Sequence, residues 1–194
     1  MSDELREVTG PVELVSERLV LREYREGDWQ AIHRYATDPE VCRFMTWGPN
    51  TQEETKAHVS RCMEEAEERP RRKFGLVVTR KADGELIGAC GLAVGNPGQR
   101  EGWIGYVFAR EHWGQGYATG AARLLVRFGF EELRLHRIFA TCDPENRASA
   151  RVLEKAGMQL EGRQRSDLFV KGRWRDSLFY AILENDVRPR QTER

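Results

Sequence analysis

The stretch Gly102–Phe130, GWIGYVFAREHWGQGYATGAARLLVRFGF, decides the fold of this chain. Its beginning, Trp103 to Phe108, is an apolar and aromatic run that predicts a buried strand, and from Ala118 onward the apolar residues have helical spacing. Between them, Gly114-Gln115-Gly116 predicts a tight turn. Because glycine lets a ligand approach the backbone and a helix begins with unpaired N–H groups, this strand, turn and helix can hold a phosphate group.

Two well-known phosphate loops are excluded by the spacing. A dinucleotide-binding loop requires glycine where Thr119 stands, and a Walker loop ends in Gly-Lys followed by Ser or Thr, which this stretch lacks. A Gly-x-Gly before a helix is a weak signal by itself. An ordinary strand-to-helix turn without a ligand therefore stays open as an alternative.

Length and composition predict one domain with no global electrostatic field. The chain has 194 residues, of which 40% are hydrophobic, enough for one well-packed core. Its 31 basic and 31 acidic residues cancel, so we expect no direct nucleic acid binding and no attraction to an anionic membrane. No apolar run has the length of a signal peptide or a bilayer span, which predicts a cytoplasmic protein without a membrane segment.

Cysteines and histidines give no sign of a metal site. The four cysteines stand singly without a C-x-x-C pair, which favours reduced, packed thiols over a disulfide framework or a zinc site. The four histidines are dispersed and have no cysteine or carboxylate at ligand spacing. We therefore expect surface or packing histidines and no metal.

The order of predicted elements is typical of a single α+β domain. Hydrophobic period and turn residues predict a strand, two helices, three strands, a helix, a strand, a helix and two strands. The expected architecture is a mixed, mostly antiparallel sheet of about seven strands flanked by about four helices. The domain is predicted to span residues 12–184, between a flexible N-terminus (residues 1–11) and a C-terminal tail (residues 185–194).

Local signals fix several of these elements. Thr51 and Glu54 form a capping box that opens the second helix, and Asp83-Gly84 predicts a hairpin turn. The strand Arg137–Cys142 follows a helical crossover, so it should run parallel to the strand that precedes the glycine turn.

A second motif begins at Asn146 and ends at Met158, reading NRASARVLEKAGM. Asn146 is a good helix N-cap with Ser149 in the first turn, so an ordinary helix start is the simple alternative. The pattern resembles motif B of the GNAT superfamily of N-acetyltransferases, N-x-x-S-x-x-x-x-E-K-x-G-F/M. The glycine turn resembles motif A of the same superfamily, Q/R-x-x-G-x-G/A, with Gly114 and Gly116 at the glycine positions and Glu111 in place of Gln or Arg.

Three further phrases narrow the resemblance. Glu17–Arg22, Thr37–Val41 and Trp174–Leu178 are similar to the RimJ/RimL branch, which contains the ribosomal-protein N-terminal acetyltransferases. The resemblance covers nearly the whole chain and implies the GNAT fold with acetyl-coenzyme A as cosubstrate. It implies that motif A cradles the diphosphate, that Asn146 lies near the pantetheine arm and that Ser149 faces the sulfur. The cofactor-binding residues expected on this basis are Tyr106, Val107, Phe108, Trp113, Gly114, Gln115, Gly116, Tyr117, Ala118, Thr119, Asn146 and Ser149.

The resemblance also implies the chemistry, in which an amine bound beside acetyl-coenzyme A attacks the thioester directly. An oxyanion donor is expected from a backbone N–H around Val107. Relatives often carry a glutamate base where this chain has Trp103, so Glu101, on the same strand face, is the candidate base. Some relatives place a tyrosine acid where this chain has Leu153, so Ser149 is the candidate acid or orders a water. Tyr106 and Tyr117 are expected to flank the site as packing residues.

Three functions follow from this interpretation. The first is acetylation of a protein N-terminal α-amine, and the second is acetylation of a small amine such as a polyamine, antibiotic or toxin. The third is a coenzyme A-binding module without catalysis, since the usual glutamate and tyrosine are replaced. The sequence is compatible with either a monomer or a homodimer.

Overall fold

The computed structural model describes residues 5–187, and eight strands among them form one open sheet. The strands are β1 (Glu13–Val15), β2 (Leu19–Arg22), β3 (Lys73–Arg80), β4 (Leu86–Asn96), β5 (Glu101–Phe108), β6 (Arg137–Cys142), β7 (Gln159–Val170) and β8 (Arg173–Leu183). Their order across the sheet is β1-β2-β3-β4-β5-β6-β8-β7. Every neighbouring pair is antiparallel except β5 and β6, whose parallel pairing confirms the crossover prediction.

Helices cover both faces of this sheet. Within the described residues they are α1 (Trp29–Ala36), α2 (Pro39–Cys42), α3 (Gln52–Glu67), α4 (Tyr117–Glu131), α5 (Arg147–Lys155) and α6 (Glu184–Val187). The predicted capping box opens α3: Thr51 Oγ1 accepts from the Glu54 N–H, and Glu54 Oε2 accepts from the Thr51 N–H. The predicted hairpin turn joins β3 to β4, with Gly84 at a φ of +74°.

Two apolar layers hold the helices against the sheet, and β3 shows how one strand serves both. Leu76 on β3 packs in the layer that contains Leu125 of α4, whereas Val77 packs in the layer that contains Val59 of α3. Successive side chains of a strand point to opposite faces, so the alternation follows from strand geometry. The helices α4 and α5 therefore lie on one face, and α1 to α3 lie on the other.

The structure differs from the predicted count of elements at short segments. Strand β1 was not predicted, because three residues give no readable period, and it makes the sheet one strand larger. The helices α2 and α6 have only four residues each and raise the helix number to six in the described chain.

The expected loose termini are only partly described. Leu5 and Val8 pack against the core, and the Arg6 N–H donates to Leu133 O at 3.1 Å, so this part of the N-terminal segment is attached to the domain. The predictions for residues 1–4 and 188–194 lie outside the described residues.

The four cysteines are buried and unpaired, which confirms the prediction of packed thiols. Within the described part of the chain, no helix is long and apolar enough to span a membrane. No group of three or more metal-ligating side chains occurs among residues 5–187.

Candidate active site

The glycine turn leads from β5 into the first turn of α4. Gly114 and Gly116 have φ values of +73° and +82°, a left-handed conformation that glycine adopts without strain. Gly116 is the N-cap of α4, and the Gly120 N–H donates to Gly116 O at 3.0 Å. The N–H groups of Tyr117, Ala118 and Thr119, at the start of α4, therefore have no intrahelical partners. These free donors make the corner suited to binding an anion.

The space beside the two glycines is open. A Cβ atom built on Gly114 would meet no heavy atom within 4 Å, and one on Gly116 would meet only Arg18 Nη1, at 3.9 Å. A diphosphate can therefore approach the backbone here. The residues present fit the diphosphate that the motif resemblance implies.

Arg18 adds positive charge to the same corner. Its Nη1 donates to Gln115 O at 3.0 Å, and its guanidinium lies over the Tyr117 ring at 4.4 Å. The hydrogen bond from Arg18 is the main reason that the pKa of Tyr117 is lowered. A cavity of about 350 Å³ adjoins Gly116 and is lined by Arg18, Arg123 and Lys155, among others. These three cations favour phosphate groups, and none of them was identified from the sequence as a binding residue.

The remaining turn residues are held by local hydrogen bonds. Gln115 Nε2 donates to Glu111 O at 2.9 Å, so Glu111 supports the turn through its backbone carbonyl. Trp113 Nε1 donates to Phe108 O at 2.8 Å while the Trp113 side chain stays exposed. The structure thus brings the predicted motif A residues to one corner of the fold.

The main cleft opens where β5 and β6 separate. Pairing between them is confined to Glu101–Trp103 with Arg137–Phe139, although the two strands continue to Phe108 and Cys142. Beyond the last pair, residues of both strands line a cleft of about 830 Å³. A ligand can therefore pass between the two strands.

Tyr106 and Ser149 meet across this opening. The Tyr106 hydroxyl lies 2.9 Å from Ser149 Oγ, where either atom can donate, and it donates to Ser149 O at 3.2 Å. Burial raises the pKa of Tyr106, against a smaller opposing effect of the Ser149 hydrogen bond, so the phenol stays protonated at neutral pH. From the sequence, Tyr106 was expected only to pack beside the site, and its contact with Ser149 was not predicted.

Asn146 is the N-cap of α5, and its Oδ1 accepts from the Ser149 N–H at 3.0 Å. This cap uses the amide oxygen and leaves the amide nitrogen as a donor group on the cleft wall. Asn146 therefore orients Ser149, and both residues line the cleft.

The backbone N–H groups of β5 alternate between two sides of the strand. The Ala109 N–H donates to Ile87 O at 2.9 Å, and the register with β4 continues unbroken through Val107. Because hydrogen-bonded pairs alternate in an antiparallel ladder, Val107 is also bonded to β4. Tyr106 and Phe108 then point their N–H groups toward the opening. Of the N–H groups around Val107, those of Tyr106 and Phe108 are therefore the candidates for the expected donor.

Glu101, the candidate base, is not among the residues that line the cleft. It pairs with Arg137 at 3.0 Å, and Arg137 also pairs with Glu161. The structure therefore places Glu101 in an ion-pair network at the start of β5. Trp103, two residues later, does line the cleft and has 46% of its surface exposed.

One face of α3 forms another wall of the cleft. The cleft-lining residues of this helix, at helical spacing, are Glu54, Ala57, His58, Arg61, Cys62 and Glu65. His58 Nδ1 lies 3.2 Å from Arg61 Nη2, and Nε2 lies 3.4 Å from the Tyr24 hydroxyl. Burial lowers the pKa of His58 and the charge of Arg61 lowers it further, so the imidazole is neutral at pH 7. The sequence had suggested only a surface or packing role for this histidine.

The sheet floor of the cleft contains a row of three glycines, and aromatic rings form part of its walls. Gly75, Gly91 and Gly105 are register partners on β3, β4 and β5, and all three line the cleft. Phe44 and Trp47 contribute aromatic rings from the loop after α2. This combination leaves room for a chain of atoms to lie along the sheet between flat side chains.

Carboxylates of the cleft already have partners. The three that line it are Glu54, Glu65 and Asp143, which contact the Thr51 N–H at 2.8 Å, Lys73 Nζ at 2.6 Å and Arg175 Nε at 3.3 Å, respectively. With Arg61 as the third cation beside Lys73 and Arg175, the formal charges of the lining residues cancel when histidine is neutral. The cleft is therefore not an acidic site.

This chain is similar in sequence and in fold to known acetyltransferases. Residues 18–159 match the model of the acetyltransferase (GNAT) domain family. The uncharacterized N-acetyltransferase YnaD of Bacillus subtilis (strain 168) is 36% identical over 173 residues, which cover 89% of this chain and 98% of YnaD. A GNAT-family acetyltransferase of Bacillus anthracis is 33% identical, with a TM-score of 0.80 over 90% of this chain and 99% of that chain.

Two further structures share the fold at lower identity. One is the RimL ribosomal L7/L12 α-N-protein acetyltransferase in complex with coenzyme A, with a TM-score of 0.79 at 21% identity over 89% of this chain and 98% of its own. The other is the spermidine N-acetyltransferase of Vibrio cholerae in complex with coenzyme A and spermine, with a TM-score of 0.75 at 23% identity over 88% and 98%.

Proposed function

Because this chain belongs to the acetyltransferase (GNAT) domain family and is therefore an N-acetyltransferase, we propose that it transfers an acetyl group from acetyl-coenzyme A to the α-amine of a protein N-terminus. The donor side of this proposal is supported by the open glycine turn and the unpaired N–H groups of α4. The acceptor side rests on the charges of the cleft.

Each carboxylate that lines the cleft already contacts another group of this chain. This observation supports the proposed acceptor. A polyamine carries several positive charges and needs carboxylates that are available to it. A lysine-like amine with a pKa near 10.4 also needs a strong base. An α-amine with a pKa of about 7.7–8.0 is partly neutral at physiological pH and needs the least help. It is the acceptor that suits this cleft.

Residues around the opening have separate proposed roles in binding acetyl-coenzyme A and in stabilising negative charge during the reaction. The glycine turn and the first turn of α4 would hold the diphosphate, and Asn146 would bind the pantetheine arm. Acetyl-coenzyme A supplies, when bound, a thioester carbonyl that an amine can attack. The N–H groups of Tyr106 and Phe108 that face the opening are placed to stabilise an oxygen that gains negative charge.

Tyr106 and Ser149 form the proton-donating pair. Their hydroxyl groups are 2.9 Å apart, and burial keeps the proton on Tyr106 by raising its pKa. A leaving thiolate, whose conjugate acid has a pKa of about 8.5, can take a proton through this pair if solvent replaces that proton, so that the pair relays a solvent proton and ends in its starting state. Ser149 thus keeps its proposed role, with Tyr106 as the group that supplies its proton.

His58 replaces Glu101 as the candidate proton acceptor. Its imidazole lines the cleft in the neutral form, whereas Glu101 pairs with Arg137 outside the cleft lining. A neutral imidazole can accept the proton of an α-amine directly or through water.

Release of free thiol from acetyl-coenzyme A tests the proposal. Three acceptors of similar length separate the alternatives: a peptide with a free N-terminus, the same peptide with a blocked N-terminus and one internal lysine, and spermidine. We expect turnover only on the free N-terminus, and mass spectrometry should place the acetyl group on the α-amine.

The other outcomes have distinct meanings. Preferred turnover of spermidine would favour acetylation of a small amine. This alternative is worth testing because the chain shares its fold with the spermidine N-acetyltransferase of Vibrio cholerae. Tight binding of coenzyme A without turnover on any amine would favour a module without catalysis. A Gly116→Val variant is the control that should lose binding and turnover together.

A further inference from the structure

Arg61 differs from the other cations of the cleft. Lys73 pairs with Glu65 at 2.6 Å and Arg175 pairs with Asp143 at 3.3 Å. Arg61 makes no ion pair with a carboxylate of the described residues, and its Nη2 contacts His58 Nδ1 at 3.2 Å. Its guanidinium therefore lines the cleft without an ion-pair partner among the described residues.

Two glutamates of α3 have the sequence spacing for an ion pair with Arg61, but neither forms one in the described structure. Glu64 and Glu65 follow Arg61 by three and four residues, the spacings at which oppositely charged side chains meet on a helix. Glu65 instead binds Lys73 of the neighbouring strand β3, and Glu64 makes no ion pair in the described structure. Arg61 stays turned to the cleft, where it lies one helical turn from His58.

We propose that Arg61 determines acceptor specificity by binding a carboxylate of the acceptor, so that the preferred substrate is an amine with an acidic group a few bonds away. This inference rests on the proposed function and names the acceptor class. A planar guanidinium binds a carboxylate through two parallel hydrogen bonds, which gives orientation as well as attraction. Of the two glutamates on the same helix face, Glu65 is paired with Lys73, and Glu54 lies two helical turns from Arg61, where it bonds the Thr51 N–H.

The carboxylate could belong to an Asp or Glu side chain near a protein N-terminus or to a free amino acid. Both sources present the same chemistry to Arg61. An N-terminus with an acidic residue at its second position is the source that fits the glycine floor, because an extended chain can continue along it.

Matched peptides test this inference. Three C-terminally amidated peptides, identical except for Glu, Gln or Lys at the second position, leave the side chain as the one variable charge. We expect kcat/KM from thiol release to be about fivefold higher for Glu than for Gln, the size of a partly exposed ion pair, and lowest for Lys. The preference should shrink as salt is added.

Two variants of Arg61 make the test specific. Arg61→Gln should give equal rates on the Glu and Gln peptides, and Arg61→Glu should reverse the order in favour of Lys. Arg61 is exposed, so these variants should fold, and their unchanged affinity for coenzyme A would verify it. The matched control is Arg127→Gln, an exposed arginine of α4 outside the cleft lining, which should keep the wild-type preference.

Failure of this inference can be told apart from failure of the proposed function. Equal kcat/KM on all three peptides with the wild-type enzyme would overturn the role of Arg61 and leave N-terminal acetylation standing. Absence of turnover on every peptide would overturn both. Faster turnover of free glutamic acid than of any peptide, lost in Arg61→Gln, would support carboxylate recognition while refuting the protein acceptor.

Discussion

Replacing Tyr106 by phenylalanine removes one oxygen atom from the place where β5 and α5 meet. Two contacts are lost, at 2.9 Å to Ser149 Oγ and at 3.2 Å to Ser149 O. The net contribution of a hydrogen bond to folding is about 1 kcal/mol, and Ser149 can turn to solvent because it is only partly buried. We therefore expect a loss of about 1–2 kcal/mol in the free energy of unfolding, or a fall in Tm of roughly 2–8 °C for a chain of this size.

The expected effect on catalysis is larger. General acid catalysis contributes about 10²–10⁴-fold, which corresponds to about 3–5 kcal/mol of transition-state stabilisation at 1.36 kcal/mol per decade. If Tyr106 supplies the proton, kcat should fall by that factor while the affinity for coenzyme A changes little. Steady-state thiol release at 25 °C and calorimetric titration of coenzyme A measure the two quantities separately.

Tyr180→Phe is the matched control for this prediction. Tyr180 is buried, its hydroxyl donates to Glu154 Oε1 at 3.2 Å, and it is not among the residues that line the cleft. Its loss should lower stability to a similar extent and leave kcat unchanged. A Tyr106→Phe enzyme with the same kcat as Tyr180→Phe would refute the proton-donor role.

Three other predictions follow from the site. Gly116→Val should abolish coenzyme A binding, because a φ of +82° costs a β-branched residue about 1–2 kcal/mol or more and its side chain would occupy the open space; unchanged affinity would remove the diphosphate assignment. Glu101→Gln should leave the pH–rate profile unchanged and lower stability by at most about 1 kcal/mol, since it breaks a partly exposed ion pair; a shifted profile would restore Glu101 as the base. The pKa of His58 is lower in the folded protein than in the unfolded chain, where it is about 6.5, so protonation of His58 favours unfolding. The contribution of His58 to stability is therefore complete above a pH of about 6.5 and is lost as the pH falls through the pKa of the folded state. Chemical denaturation between pH 7 and pH 5 should thus show a smaller loss of stability in His58→Gln, and parallel curves would contradict the shift.

The parts of the fold that the sequence predicted are those fixed by local geometry. The Thr51 capping box, the Gly84 turn and the Gly114-Gln115-Gly116 corner each depend on a few neighbouring residues. Strand β1 was missed because its pairing with β2, and not a local pattern, defines it. The sequence could not show which N–H around Val107 faces the opening, because the side of a strand on which an N–H points depends on its pairing with β4.

The acceptor side of the site could not be predicted in the same way, since it is built from contacts distant in sequence. Arg175 Nη1 donates to Phe44 O across 131 positions, and Lys171 Nζ donates to Cys42 O across 129. These bonds from the hairpin of β7 and β8 hold the loop that carries the aromatic wall. Such a loop needs no particular residue type, because the bonds are made to its backbone carbonyls.

Arg175 also connects the acceptor side to the donor side. The same guanidinium that holds Phe44 O pairs with Asp143, whose Oδ1 accepts from the Glu145 N–H in the turn before Asn146. One side chain thus fixes the acceptor loop relative to the turn that orients Ser149. On the donor side, the diphosphate would be bound by backbone N–H groups, and this requires glycine at the corner. On the acceptor side, the side chains of the loop can differ because Arg175 holds the loop through a backbone carbonyl. A short motif can therefore indicate the acetyl donor, and only the assembled cleft indicates the amine.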